Sequence, residues 1–393
     1  MAAPTNNNTL TSLIPDAYAA LDVVSRELTG FIPTVARDSR ADMVAVGQTL
    51  RSVVAPVNAS GADIVPAMAV PSALNQTIGN KSLTITKARS FGFSWSGEDI
   101  MAVDKGPGYL TIQQDQIAQA IRAAVNEVEA DIWTAANAGA SRAFGATANT
   151  APVIGDFSNA KKILDDNGAP GSDRHAVLST AAGVAVRGYA NLYKVNEGGD
   201  STLLRQGLLG DLYGFSLRES AQVSSQTAGT MASATSSSAA FTVGQTVIPL
   251  ATAGTGVVAA GDIITFANDT NKYVVASVSF AGANPASGDT ITLAAPGLRI
   301  AQGVATRAIT VFGTSSRNCA FSRNAIVLAT RLPAIPAQGD MALDRQVITD
   351  PRTSLSFEIA MYPGYRMNTY HVSLAWGVTV FKPEHLAIII GGV

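Results

Sequence analysis

Charged side chains are scarce in this sequence, and their scarcity limits what kind of protein it encodes. They make up 14% of the 393 residues, against about 25% in an ordinary soluble domain. Apolar residues, in contrast, reach 47%. Because a monomer of this length would have few charges with which to cover its surface, we expect part of that surface to be covered by copies of the same chain.

Neither sign of charge is in excess. The formal net charge is −2, and the Lys and Arg residues are scattered along the sequence. Proteins that hold nucleic acid electrostatically concentrate basic side chains on one face. Any contact with a genome is therefore expected to be passive.

Signals for export and for membranes are missing. The one cysteine, Cys319, excludes an intramolecular disulfide and suits a reducing cytosol. The segment Met1–Leu13 is polar and lacks the basic start and apolar run of a signal peptide. No apolar run approaches the roughly 18 residues that a membrane span needs. We therefore expect no membrane partner, although so few cysteines would also suit a secreted bacterial protein.

The sequence also lacks a catalytic constellation. None of its three histidines lies at metal-ligand spacing from another. The run Gly92–Gly97 is similar to a nucleophile elbow, but its second glycine is one position late. Gly254 and Gly256 are only a fragment of a dinucleotide loop. We expect no enzyme activity, no cofactor and no metal; a hydrolase on an α/β domain is the enzyme alternative.

The strongest local signal is one long amphipathic helix. A capping box formed by Thr111 and Gln114 and a terminal Gly139 predict a helix over 111–139. At about 1.5 Å per residue it would be roughly 40 Å long, so other segments should lie along it. The alternative is a surface helix of a globular α+β protein. Its predicted apolar stripe consists of Ile117, Ile121, Val125, Val128 and Ile132.

The residues before this helix predict an arm followed by extended chain. A short helix should open at Pro15 and end before Gly30, the segment 31–59 should be irregular or extended, and 60–76 should be a loop. Residues 81–96 alternate in polarity and predict a strand or hairpin arm, which a turn-rich connection over 97–110 joins to the long helix. The apolar positions of the arm and of the alternating segment are Leu21, Val24, Leu28, Phe91, Phe93 and Trp95.

After the long helix and a loop that reaches Gly155, the pattern becomes mixed. Helices are predicted over 157–167 and 179–193, with a short buried strand over 175–178 between them. The stretch 225–316 has no helical period and predicts five or more strands, which suggests a small inserted β-barrel. The closing strands are predicted over 354–361, 366–381 and 386–390.

Two motifs carry a family resemblance. The glycine-punctuated run Gly207–Ser220 and the segment Asn318–Val327 resemble the axial domain of tailed-bacteriophage major capsid proteins, which have the Hong Kong ninety-seven fold. The run Gly261–Phe266, together with Trp376-Gly377 and Lys382-Pro-Glu384, is similar to the subgroup with an inserted barrel, to which the coat protein of the short-tailed Salmonella phage belongs.

The resemblance implies an α+β fold and a structural role. The chain would build an icosahedral shell of hexamers and pentamers around double-stranded DNA, with a scaffolding protein and a portal as partners. Assembly would occur in the host cytoplasm, and the product would be the virion capsid. The six apolar positions of the arm and the alternating segment would contact neighbouring subunits. The implied domains are an N-terminal arm (1–46), an extended loop (47–98), a peripheral domain (99–149 and 346–393), an axial domain (150–224 and 317–345) and the inserted β-barrel (225–316).

Two other functions fit parts of the sequence. An encapsulin-like cellular nanocompartment would share the fold, although the inserted barrel argues against it. A secreted β-rich bacterial surface or binding protein would suit the Ala, Thr, Gly and Ser content, and the polar N-terminus argues against that.

Overall fold

The computed structural model describes residues 27–54, 66, 79–103, 109–145, 151–193, 209–252, 254–282 and 284–391. Within these ranges the chain has a mixed α+β fold in which strands outnumber helices. No helix among the described residues is long and apolar enough to cross a bilayer. The helices are α1 (Gly97–Val103), α2 (Tyr109–Gly139), α3 (Ile154–Asp166), α4 (Thr180–Arg187) and α5 (Ala190–Tyr193).

The strands form sheets of thirteen, six and two strands. In chain order they are β1 (Ala36–Val44), β2 (Thr49–Val54), β3 (Gly79–Thr84), β4 (Lys87–Ser96), β5 (Arg142–Phe144), β6 (Arg174–Leu178), β7 (Asp211–Leu212), β8 (Phe215–Glu219), β9 (Ser225–Gln226), β10 (Thr235–Ser236), β11 (Val247–Thr252), β12 (Ile263–Phe266), β13 (Lys272–Ser279), β14 (Thr290–Leu293), β15 (Ile309–Val311), β16 (Ser315–Ser322), β17 (Ile326–Pro333), β18 (Asp344–Thr349), β19 (Ser356–Gly364), β20 (Met367–Val380) and β21 (Leu386–Ile390).

The long helix α2 organises the described part of the chain. Its 31 residues span about 45 Å, and its predicted apolar stripe is fully buried. The stripe shares one hydrophobic core with Phe357 and Trp376 of the six-stranded sheet and with Phe321 and Ile388 of the thirteen-stranded sheet. Each buried aliphatic side chain contributes roughly 1.5–3 kcal/mol. The predicted spine is confirmed, because one helix face holds both large sheets together.

The six-stranded sheet is built around β20. This strand pairs with β19 along its first half, with β17 along its second half and with β4 along its first ten residues. Strand β1 joins the opposite side of β17 in parallel, and β18 forms the other edge beside β19. The predicted alternating segment is therefore two strands, β3 and β4, that pair with different partners: β3 with β2 and β4 with β20.

A glycine allows the β2–β3 hairpin to return closely over this sheet. A Cβ on Gly377 would lie 2.1 Å from the carbonyl oxygen of Thr84, a distance that no side chain could tolerate. The Thr86 N–H donates to the Trp376 carbonyl at 3.1 Å in the same crossing. The hairpin is thereby joined to the sheet at its base.

The region after α2 contains the predicted alternation of helices and strands. Helix α3 ends before Gly168, whose φ of +76° suits a terminating glycine, and β6 follows as a buried strand. The Ser179 side chain accepts from the Ala182 N–H at 3.1 Å and caps α4. Strand β8 then lies parallel to β6. This arrangement is a compact β-α-β unit with its own core.

The chain from β10 to β15 pairs in a circuit. The order β10, β11, β14, β13, β12 and β15 follows from successive antiparallel pairings. Two further hydrogen bonds link the last strand to the first: Ser236 N–H to the Arg307 carbonyl at 2.9 Å, and Ile309 N–H to the Ala234 carbonyl at 3.0 Å. The segment also has a separate hydrophobic cluster of its own, which runs from Met231 to Ile309.

Several local predictions were wrong. The helix α2 begins at Tyr109, directly after the breakers in the sequence, so Thr111 lies inside it and does not cap it. The segment 97–103 is helical, because the Ser96 hydroxyl caps α1 by accepting from the Asp99 N–H at 3.2 Å. Strands β5 and β18 were missed; β5 has only three residues and so shows no period. The predicted 179–193 helix is interrupted after Arg187.

The predicted N-terminal helix lies largely outside the described residues. Its last positions, 27–29, are described and are not helical. The predicted loop over 60–76 is likewise outside the described ranges except for Pro66.

Candidate assembly surfaces

The described chain begins at a clamp that fixes the N-terminal segment to α2. The Glu129 carboxylate accepts backbone N–H groups from Gly30, from Phe31 at 2.7 Å and from Ile32 at 3.0 Å. Glu129 is 0% exposed, and burial raises its pKa although these donors and the Ser220 hydroxyl oppose the rise. One side chain therefore satisfies three consecutive N–H groups, which would otherwise need partners in a helix or a sheet.

The clamp places two aromatic rings in contact. Phe31 is buried and stacks on Phe321 of β16, with ring centroids 6.0 Å apart. Position 30 must be glycine, because a Cβ there would lie 2.8 Å from the Glu219 carbonyl oxygen. The segment 30–35 is thus part of the core.

Beyond the clamp the chain lies on the surface of α2. Arg122 donates from Nε to a Glu27 carboxylate oxygen at 2.6 Å, and this guanidinium lowers the pKa of Glu27 to about 2. Leu28, one of the predicted interface residues, is 54% exposed. A cavity of about 240 Å³ lies beside this ion pair and is lined also by Thr353.

The predicted aromatic interface residues lie on β4. Phe93 is half-buried and stacks on Tyr370 of β20, with centroids 5.4 Å apart. Phe91 is half-buried against the same core. Trp95 is 6% exposed and donates from its indole N–H to the Gln116 side-chain oxygen at 2.6 Å. Leu21 and Val24 lie outside the described residues, so the interface role of these positions stays a prediction.

Another apolar surface, which sequence reasoning missed, lies at one end of the six-stranded sheet. Strand β4 ends there opposite Met367, β18 begins there opposite Met361, and the β19–β20 turn lies between them. The exposed side chains are Met101 (71%), Met341 (79%), Leu343 (66%) and Tyr365 (90%). We call these four residues the tip patch.

Polar contacts fix the segment before β18, which carries Met341 and Leu343 of the tip patch. The Tyr362 hydroxyl donates to an Asp340 carboxylate oxygen at 2.8 Å. Arg345 pairs with Asp340 and, at 2.9 Å, with Glu358. Tyr365 lies in the β19–β20 turn and is 90% exposed, whereas Tyr370 and Trp376 of β20 are buried.

The described residues show little that could perform chemistry. They contain no group of three or more His, Cys, Asp and Glu side chains suited to a metal. Ser94, the candidate elbow serine, lies in β4 opposite Thr369. Cys319 is buried, and burial raises its pKa to about 12, which disfavours the nucleophilic thiolate.

Comparisons with known proteins identify the fold. No protein-family profile and no curated sequence matches the chain. Among solved structures, the capsid of cyanophage P-SCSP1u is 10% identical, with a TM-score of 0.51 over 98% of this chain and 92% of the other. The chain has a phage capsid fold. Mycobacterium phage Che8 (12% identity, TM-score 0.48, 97% and 98% covered) and the virus-like particle from Pyrococcus furiosus (7%, 0.44, 95% and 96%) are also similar.

The capsid fold supports the family resemblance drawn from the sequence at the level of architecture. At 10% identity the likeness concerns the backbone, so it transfers no contact residue to this chain.

Proposed function

We propose that this chain is the major capsid protein of a tailed phage, a subunit that assembles into the icosahedral shell enclosing double-stranded DNA. The observation that carries the proposal is the fold likeness to the cyanophage capsid chain, which extends over 98% of the chain. In such a protein the function follows from how the subunits fit together, and no active site is required.

The surface of the described residues supports assembly. The tip patch consists of four large, exposed apolar side chains in segments at one end of a sheet, and large exposed apolar surface is typical of interaction sites. Further exposed apolar residues lie in the β11–β15 region. In a closed symmetric shell each contact can be weak, because every subunit makes several of them. The exposed residues of that second group are Val247, Val257, Ile300 and Val304.

The finer architecture belongs to the same proposal. We assign the Hong Kong ninety-seven fold with the domain boundaries given above, and we interpret the circuit from β10 to β15 as the inserted β-barrel. The separate hydrophobic cluster of this segment supports that interpretation, because an inserted domain needs its own core.

The proposed partners follow from shell assembly. The subunits would form hexamers and pentamers, a scaffolding protein and a portal would guide them, and DNA would be confined passively because the chain is nearly neutral. Assembly would take place in the host cytoplasm and the product would be the virion capsid. We propose no enzymatic activity, no cofactor and no metal.

The test is to express the full chain in bacteria, alone and with its genomic neighbours, and to examine the purified product by negative-stain microscopy. Closed shells tens of nanometres across are expected. Their content after nuclease treatment distinguishes the two shell functions: protected DNA in particles made with the genomic neighbours supports a phage capsid, whereas a specific protein cargo without DNA supports a nanocompartment. A product without shells in either condition would contradict the proposal.

A further inference from the structure

A small polar cavity lies between α3, β5 and the turn before β13. Its volume is about 170 Å³, which corresponds to roughly six waters at about 30 Å³ each. The polar side chains that line it are Arg142, Asn159, Lys162, Thr270, Asn271 and Lys272. Three of these carry positive charge and none carries negative charge.

Arg142 is the buried member of the set. It is 3% exposed, and its terminal nitrogens reach Asn271 Oδ1 at 3.2 Å and Asn167 Oδ1 at 3.3 Å. Its Nε has no hydrogen-bond partner in the described part of the chain. Because an unmade bond on a buried cation is costly, the guanidinium charge of Arg142 is only partly compensated by its neutral partners.

The carboxylate nearest to Arg142 and Lys162 also faces a third cation, so it cannot neutralise all three. Asp166 lies 3.5 Å from Lys162, 3.7 Å from Arg142 and 3.9 Å from Arg299, and each of these distances is long for an ion pair. One negative charge therefore faces three positive ones. The Ile163 carbonyl adds only a weak acceptor to Arg142, at 3.5 Å.

Lys272 adds a further cation at the opposite wall. Its ammonium donates to the Gly145 carbonyl at 2.7 Å and lies 5.7 Å from the Phe144 ring centroid and 5.4 Å from that of Phe312. An ammonium has three donors, and among the described residues only the Gly145 carbonyl accepts a hydrogen bond from this one. Burial lowers the pKa of both Lys272 and Arg142, and the carboxylates of Asp156 and Asp166 respectively oppose the shift.

We propose that this cavity binds a phosphate group, with Arg142, Lys162 and Lys272 as its cationic contacts and Asn159 and Asn271 as neutral donors. A tetrahedral oxyanion fits the volume and supplies acceptors for the cationic side chains that line the cavity. The group could be free inorganic phosphate or the phosphodiester of a nucleic acid strand. The site does not depend on the proposed function, because the cavity belongs to a single subunit.

The test uses isothermal titration calorimetry on the purified full-length chain, with inorganic phosphate and with a ten-residue thymidine oligonucleotide as probes at constant ionic strength. Lys162→Ala removes one cation at an exposed helix position, where folding is not at risk. Loss of one charged hydrogen bond should weaken binding about tenfold or more. Asn159→Asp, which places a carboxylate in the lining, should abolish it.

Lys161→Ala is the matched control. Lys161 lies on the same helix and pairs with Asp165 at 2.7 Å, and it does not line the cavity. Saturable binding of inorganic phosphate that is lost in Lys162→Ala and kept in Lys161→Ala supports a free-phosphate site. The same pattern with the oligonucleotide alone supports a phosphodiester site. Absence of saturable binding of either probe, or equal weakening in both lysine variants, would overturn the proposal.

Discussion

The Glu129 carboxylate binds the backbone N–H of Phe31 at 2.7 Å, across 98 positions of sequence. This contact joins the middle of the long helix to the point where the N-terminal segment enters the core. It replaces a regular hydrogen-bond ladder at that point, because a single side chain satisfies three successive N–H groups.

The first prediction concerns this clamp. Glu129→Ala leaves three buried N–H groups without an acceptor, each costing about 1–3 kcal/mol, so the free energy of unfolding should fall by about 3–5 kcal/mol. Urea denaturation measures it. Glu127→Ala is the matched control: it removes partly exposed ion pairs with Lys87 and Arg89 and should cost about 1 kcal/mol or less. Equal losses in the free energy of unfolding in both variants would show that the hydrogen bonds to Glu129 contribute no more than the ion pairs of Glu127.

The second prediction concerns acid. The pKa of Glu27 is lowered to about 2 by Arg122, so the folded protein holds this carboxylate ionised more strongly than the unfolded chain does. The stabilisation is complete above the ordinary pKa near 4.5 and is lost as pH falls toward 2. Compared with Glu27→Gln, the unmodified chain should therefore be the more stable at pH 6. The difference between their free energies of unfolding should disappear between pH 5 and 2. A gap that is constant with pH would contradict the ion pair. Denaturation midpoints at each pH provide the measurement.

A third prediction addresses the tip patch. Tyr365→Asp and Met341→Asp change side chains that are 90% and 79% exposed, so the subunit should fold normally, with an unchanged circular dichroism spectrum. Assembly should be lost, because a carboxylate would have to be desolvated in the contact. Val184→Asp, at an exposed apolar position of α4, controls for the added charge and should leave shells intact. Normal shells from the two tip variants would exclude the patch from the interface.

A fourth prediction concerns Arg317, which is 0% exposed. Its three guanidinium nitrogens find no hydrogen-bond acceptor within the described ranges. Burial lowers its pKa to about 10, and the nearby Asp262 opposes that shift. Arg317→Met should leave stability unchanged or raise it, because replacing a buried charge with an apolar group is often neutral or stabilising.

The matching change at Asp262 tests the coupling between the two charges. Asp262→Asn should cost about 3 kcal/mol when Arg317 is present, because the buried cation loses its nearest counter-charge. In the Arg317→Met background the same change should cost clearly less. A double-mutant cycle by urea denaturation gives the coupling, and additive effects would show that the two side chains do not interact.

The sequence predicted the elements whose cause is local. Helix α2 and its buried face follow from apolar positions repeated at helical spacing, and the end of α3 follows from Gly168. The strands of the β11–β15 region follow from runs of β-branched residues between turn residues. These signals are local because each reflects the geometry of a single helix or strand.

The sequence did not predict which helices and strands pack or pair with one another. Alternation in β4 showed that one face is buried, but not that it pairs with β20 almost 280 residues later. Trp95 therefore belongs to the subunit's own core, and a change at Trp95 would test folding before assembly. The exposure of Tyr365 depends on where the β19–β20 turn falls, and the clamp at Glu129 depends on a contact that no local pattern encodes.

The most direct measurement of the central claim is sedimentation velocity of the purified full-length chain over a range of concentrations, beside the Tyr365→Asp variant. The account predicts a fast boundary of closed shells for the unmodified chain and a slow boundary of folded subunits for the variant. A single slow monomer boundary for the unmodified chain, at every concentration and with its proposed scaffolding partner present, would contradict it.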